Sequence, residues 1–141
     1  MKTHWTVSPF SGETDISILC VEDEPITREF LKTIVSLYYP AQKIHVAENG
    51  KAGLALFREL GADVVLTDIS MPIMDGVRMA REIRLLDPDT CIIAMSAHNS
   101  QDCLPDGGDR LFTRYIQKPI STKLLCETID ECIVLVAGRE L

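Results

Sequence analysis

Five short apolar runs punctuate the chain, and between them the apolar positions become spaced rather than continuous. Ile16 to Val21, the residues around Ile44 and Val46, Val64 to Thr67, Thr90 to Met95 and Arg114 to Gln117 predict five strands. Near-continuous hydrophobicity is what burial on both faces requires, so the strands point to a parallel sheet covered by helices on each side. Pro25 stands where a helix start tolerates a missing N–H. Ile26, Phe30, Ile34 and Leu37 then recur at helical spacing, and Pro40 ends that helix. Glu24 reads as a first-turn acid favoured by the helix dipole.

Asn49 predicts the cap of a helix from Gly50 to Leu60, with Gly61 as its stop. Asp75 predicts the cap of a third helix carrying Val77, Ala80, Ile83 and Leu86, halted near Pro88. Ser121 predicts the cap of a last helix with Leu124, Leu125, Ile129, Cys132, Ile133 and Val136 on one face. Residues 1–14 show no periodicity and read as a tail, although Trp5 and Phe10 could dock. Residues 15–138 form the expected domain, and 139–141 its end or the start of a linker.

Composition narrows the function. The chain has 141 residues and a net charge of −7, with 14 basic residues against 21 acidic. Nucleic-acid binding is driven by Lys and Arg against phosphates, so direct binding by this segment is not expected. No apolar run reaches the roughly 18 residues that a bilayer span needs, and Met1 to Thr6 lacks the core of a signal peptide, so a cytoplasmic protein is expected. No Cys-x-x-Cys pair occurs among the five cysteines. Cys20, Cys91, Cys126 and Cys132 lie in apolar segments and read as small hydrophobes, leaving Cys103 as the one plausible reactive thiol.

The strand ends carry the chemistry. Val64 to Thr67 runs into Asp68, and a lone carboxylate there is costly unless something binds it. The first run ends in Glu22-Asp23-Glu24, the fourth in Ser96-Ala97, and the fifth in Lys118-Pro119. In an open α/β sheet, ligands sit at that end of the strands.

"VEDE", "TDISMPIMDG", "MSA" and "YIQKP", in this order and at these separations, resemble the receiver domain of two-component response regulators. The resemblance covers roughly Asp15 to Gly138. It implies a doubly wound, five-stranded, flavodoxin-like sheet of order 2-1-3-4-5 with about five helices. One stretch departs from the pattern. Where a fourth helix is expected, the chain has Pro105-Asp106-Gly107-Gly108, and Leu111 replaces a usual glycine. That helix is expected to be short, displaced or irregular.

The resemblance also implies roles. Asp68 accepts a phosphoryl group from a histidine kinase or a histidine phosphotransfer protein. Mg²⁺ is held by Asp23, Asp68 and the backbone carbonyl of Ser70, with Glu22 acting through water. Lys118, turned by a cis bond to Pro119, and Ser96 contact phosphoryl oxygens. Ser96 and Tyr115 form the switch, and Ser70 and His98 tune the lifetime of the phosphorylated state. On this reading the domain catalyses only its own phosphorylation and dephosphorylation. One rival is a receiver fold that serves purely as an interaction module, against which the intact acid, hydroxyl and lysine set argues. A phosphohydrolase built on an aspartyl phosphate would need a second acid where Ser70 stands.

Overall fold

The computed structural model describes residues 16–97 and 111–139. Five strands, β1 (Ser17–Val21), β2 (Lys43–Ala47), β3 (Val64–Asp68), β4 (Cys91–Ser96) and β5 (Arg114–Gln117), form one sheet. Its order is β2-β1-β3-β4-β5, with every neighbouring pair parallel. The described helices are α1 (Pro25–Tyr38), α2 (Gly50–Leu60), α3 (Gly76–Leu86) and α4 (Thr122–Arg139). The expected tail with Trp5 and Phe10, the irregular fourth helix, Cys103 and His98 lie outside the described residues.

Alternation along the strands divides the core in two. Ile18, Cys20, Val64, Leu66, Cys91, Ile93 and Met95 face α1 and α4. Leu19, Val21, Val65, Ile92 and Ala94 face α2 and α3. All four described cysteines are buried. Burial pushes the thiols of Cys20 and Cys126 up to about 12, so they are inert near neutral pH.

Three caps stand where the sequence places them. Asn49 accepts from the Ala52 N–H at 2.8 Å, Asp75 from Arg78 at 2.8 Å, and the Ser121 hydroxyl from Leu124 at 3.3 Å. Gly61 closes α2 at φ 70°, a conformation glycine adopts without a Cβ clash.

The first helix differs from expectation in two ways. Glu24 lies outside the helix as its N-cap, its carboxylate accepting from the Thr27 N–H at 2.8 Å. Of the expected stripe Ile26, Phe30, Ile34 and Leu37, only Ile34 packs against the core, while Ile26, Phe30 and Leu37 face outward with 79%, 39% and 60% of their surfaces exposed. The buried stripe is Leu31 and Val35, continued by Tyr39. Both stripes have helical spacing, and the sheet takes the one that ends in Tyr39. That phenol is fully buried, and its oxygen lies 2.8 Å from both the Cys126 carbonyl and Asp130 Oδ1. Burial, then the Asp130 contact, hold it protonated far above the usual phenol range. Leu124 and Leu86, expected on apolar faces, are 45% and 51% exposed at helix ends.

At the amino ends of the strands, polar side chains satisfy the backbone. Gln42 accepts from the Ile16 N–H at 2.7 Å, and Asp63 from the Ser17 N–H at 3.0 Å. Arg84 of α3 donates to the carbonyls of Leu111 (3.0 Å), Pro88 (3.1 Å) and Thr90, and to the Thr113 hydroxyl at 3.2 Å.

Candidate functional site

The carboxyl ends of β1, β3, β4 and β5 deliver the candidate residues to one place. Parallel register sets Asp68 beside Met95, and Ser96 beside Gln117. The Lys118 N–H donates to the Ser96 carbonyl at 2.7 Å, extending the β4–β5 pairing by one step. The Lys118–Pro119 bond is cis, as expected. The Lys118 ammonium stands 3.0 Å from Asp68 Oδ2 and 3.0 Å from Glu22 Oε1.

Glu22 is wholly buried, and Asp68 keeps 8% of its surface exposed. The second Glu22 oxygen accepts from the Glu24 N–H at 3.1 Å. Burial pushes the Glu22 carboxyl above the usual carboxylate range, against the opposing pull of that N–H and of Lys118. Burial acts to lower the Lys118 ammonium, but its bonds to Glu22 and Asp68 outweigh it and hold the group above an ordinary lysine.

Glu22, Asp23 and Asp68 each offer a carboxylate oxygen, and the three atoms lie within 4.8 Å of one another. Like charges at this spacing repel, and Lys118 is the one cation bonded to them among the described residues. An all-oxygen set with acids suits a hard divalent cation.

Close backbone approach builds the floor. A Cβ on Gly76 would lie 2.1 Å from the Asp68 carbonyl oxygen, and one on Gly50 would lie 2.3 Å from that of Met74. The Gly50 N–H donates to that Met74 oxygen at 2.9 Å, so the β3–α3 loop is fastened to the start of α2. Between these points Ile73 is held at φ 71° and is 73% exposed. A β-branched residue in that region is strained.

Asp68, Ser70, Ser96, Ala97 and Lys118 share one cleft of about 880 Å³. Tyr115 is not among its described lining residues. Its ring packs edge-on against Phe112 at 5.7 Å. Two contributors are absent from the sequence reading. Arg28 donates to the carbonyls of Glu22 (3.0 Å) and Asp23 (3.3 Å), bracing the acidic turn. Its signal is a cation in a helix's first turn, where the dipole disfavours it. Gly76, which closes the quoted TDISMPIMDG stretch, is the second, in that its close approach to the Asp68 carbonyl is not legible there.

Residues 18–130 match the family model of the response regulator receiver domain. The chain belongs to that family. Chemotaxis protein CheY of Bacillus subtilis is 30% identical over 116 residues, covering 82% of this chain and 96% of that protein. Transcriptional regulatory protein YdfI of the same organism is 32% identical over 116 residues, covering 82% of this chain. This receiver domain spans about half of YdfI, 54% of its length. Response regulator TrrA of Thermotoga maritima, solved in complex with Mg²⁺ and BeF, superposes with a TM-score of 0.72 at 32% identity, covering 83% of this chain and 98% of that one. A two-component phosphoacceptor signalling role follows for the receiver domain. No described helix is long and apolar enough to cross a membrane.

Proposed function

We propose that Asp68 is the phosphoacceptor, charged by a phosphohistidine on a histidine kinase or phosphotransfer protein. The observation that carries this reading is the Lys118 ammonium, 3.0 Å from Asp68 within the cluster of acids. An Asp68 carboxylate oxygen attacks the phosphorus, and the P–N bond breaks with its electron pair returning to the imidazole. Little covalent help is needed, and positioning with charge stabilisation does most of the catalysis. Lys118 supplies a point charge and Ser96 a hydroxyl to the phosphoryl oxygens. The domain removes its own phosphoryl group by hydrolysis and acts on no metabolite.

Mg²⁺ is the proposed cofactor, held by Asp23, Asp68 and the Ser70 carbonyl, and its charge offsets the acids and the incoming phosphoryl group. Both Glu22 oxygens are already engaged, by Lys118 and the Glu24 N–H, which supports a contact through water. The solved TrrA complex with Mg²⁺ and BeF supports the same choice of ion. Ser96 and Tyr115 are proposed as the switch that alters the surface around β5, with Ser70 and His98 tuning lifetime. The unit is proposed to span residues 15–138 and to work in the cytoplasm. In the test, acetyl phosphate with Mg²⁺ adds one phosphoryl mass to the wild type and none to Asp68→Asn. Labelling that survives in the variant would move the acceptor elsewhere.

A further inference from the structure

Two arginines of α3 face the same cleft as the acids. Arg78 and Arg81 line it together with Asp68, Ser96 and Lys118. They are three residues apart, so their side chains share one helix face. Both are exposed, and neither guanidinium makes an ion pair or hydrogen bond among the described residues. Candidate partners are engaged elsewhere. Glu82, one turn from Arg78, is turned to Arg58 of α2 at 3.8 Å. Asp75, also on the cleft wall, spends a carboxylate oxygen capping the helix through the Arg78 N–H. Two guanidiniums that pair with no acid among the described residues, lining the same cleft as Asp68, are unexpected in a chain of net charge −7.

Resting on the acceptor reading above, we propose that Arg78 and Arg81 form a subsite for the carboxylate leaving group of acyl phosphates. Asp68 attacks the phosphorus in line, so the departing group moves away from Asp68 toward the open cleft. With an acyl phosphate, the bond between phosphorus and the acyl oxygen breaks, and its electron pair stays on that oxygen. One carboxylate is consumed at Asp68, one is released, and no proton moves. Charge develops on the leaving oxygen during transfer, where a planar guanidinium donates two parallel hydrogen bonds to a carboxylate. Phosphoramidate reacts with its nitrogen already protonated, so the P–N bond breaks, its electron pair stays on nitrogen, and neutral ammonia leaves. The arginines therefore favour acyl phosphates over phosphoramidate.

The test compares acetyl phosphate with phosphoramidate as donors, with Mg²⁺, in the wild type and in Arg78→Gln/Arg81→Gln. The acetyl phosphate rate is expected to fall about tenfold relative to the phosphoramidate rate, equal to about 1.4 kcal/mol. The cleft is open to water, which keeps the effect near one power of ten. A charge-matched control, Lys32→Gln/Lys51→Gln, removes two exposed cations on α1 and α2 and leaves that ratio unchanged. Equal slowing of both donors in the arginine variant, or the same ratio change in the control, reduces the arginines to a diffuse field and overturns the subsite. Absent labelling of the wild type by either donor overturns the acceptor reading and the subsite with it.

Discussion

The two ends of the sheet handle polar groups in opposite ways. At the amino ends of the strands, Gln42, Asp63 and Arg84 are each bonded to backbone groups. At the carboxyl ends, three carboxylates crowd within 4.8 Å, with Lys118 the one cation bonded to them among the described residues. The first end carries no crowd of like charges, and its one buried polar atom without a partner among the described residues is the Thr90 hydroxyl, so it gains little from a charged ligand. The second carries unbalanced charge that a cation and a phosphoryl group would relieve. An excess of like charge, more than burial or hydrogen bonding as such, separates the working end from the supporting one.

Neutralising an acid at the working end and stripping a donor from the supporting end should therefore differ in sign, while overpacking destabilises at either. The largest effect is expected at the floor of the site, where Gly76→Ala forces a methyl against the Asp68 carbonyl. A loss of about 3 kcal/mol, the top of the overpacking range, is expected in urea denaturation. At the supporting end, Arg84→Met keeps the stem but strips donors from Leu111, Pro88, Thr90 and Thr113. It should lower stability by about 2 kcal/mol while Asp68 still accepts phosphate. Loss of labelling at undiminished stability would break the contrast.

Asp23→Ala should weaken Mg²⁺ binding by at least about tenfold in calorimetry. Unchanged affinity would remove Asp23 from the ligand set. The smallest effect is expected from Asp23→Asn without metal. Relief of repulsion should raise stability by about 0.5 kcal/mol, since the group is partly exposed. A lower melting midpoint would show that the acids are as satisfied as the groups at the opposite end.

Legibility in the sequence follows the range of the interactions. The strands are readable because two-sided burial makes them continuous apolar runs, and the caps because a cap is a contact over three residues. Glu22, Asp23, Asp68, Ser96 and Lys118 are readable because each closes an apolar run, and a parallel sheet brings those ends together. The buried face of α1 is readable only in part, through Ile34, because Ile26–Phe30–Ile34–Leu37 and Leu31–Val35 fit the helical period equally well. What decides between them is Tyr39, whose partners lie 87 and 91 residues away. Arg84 is hidden for the same reason, since its acceptors come from separate loops. The left-handed Ile73 leaves no mark, because isoleucine is a residue that avoids such a backbone.

The Tyr39 contact also bears on how the chain is made. Synthesis proceeds from the amino end at about 5–20 residues per second. The stripe of Leu31, Val35 and Tyr39 thus emerges several seconds before Cys126 and Asp130 exist to cover it. Until then a nascent chain presents an apolar helix face beside unpaired strand edges, a combination prone to sticking. The slow, exposed interval of biogenesis therefore belongs to the face of the sheet opposite α2 and α3, and it closes only when the last helix leaves the ribosome.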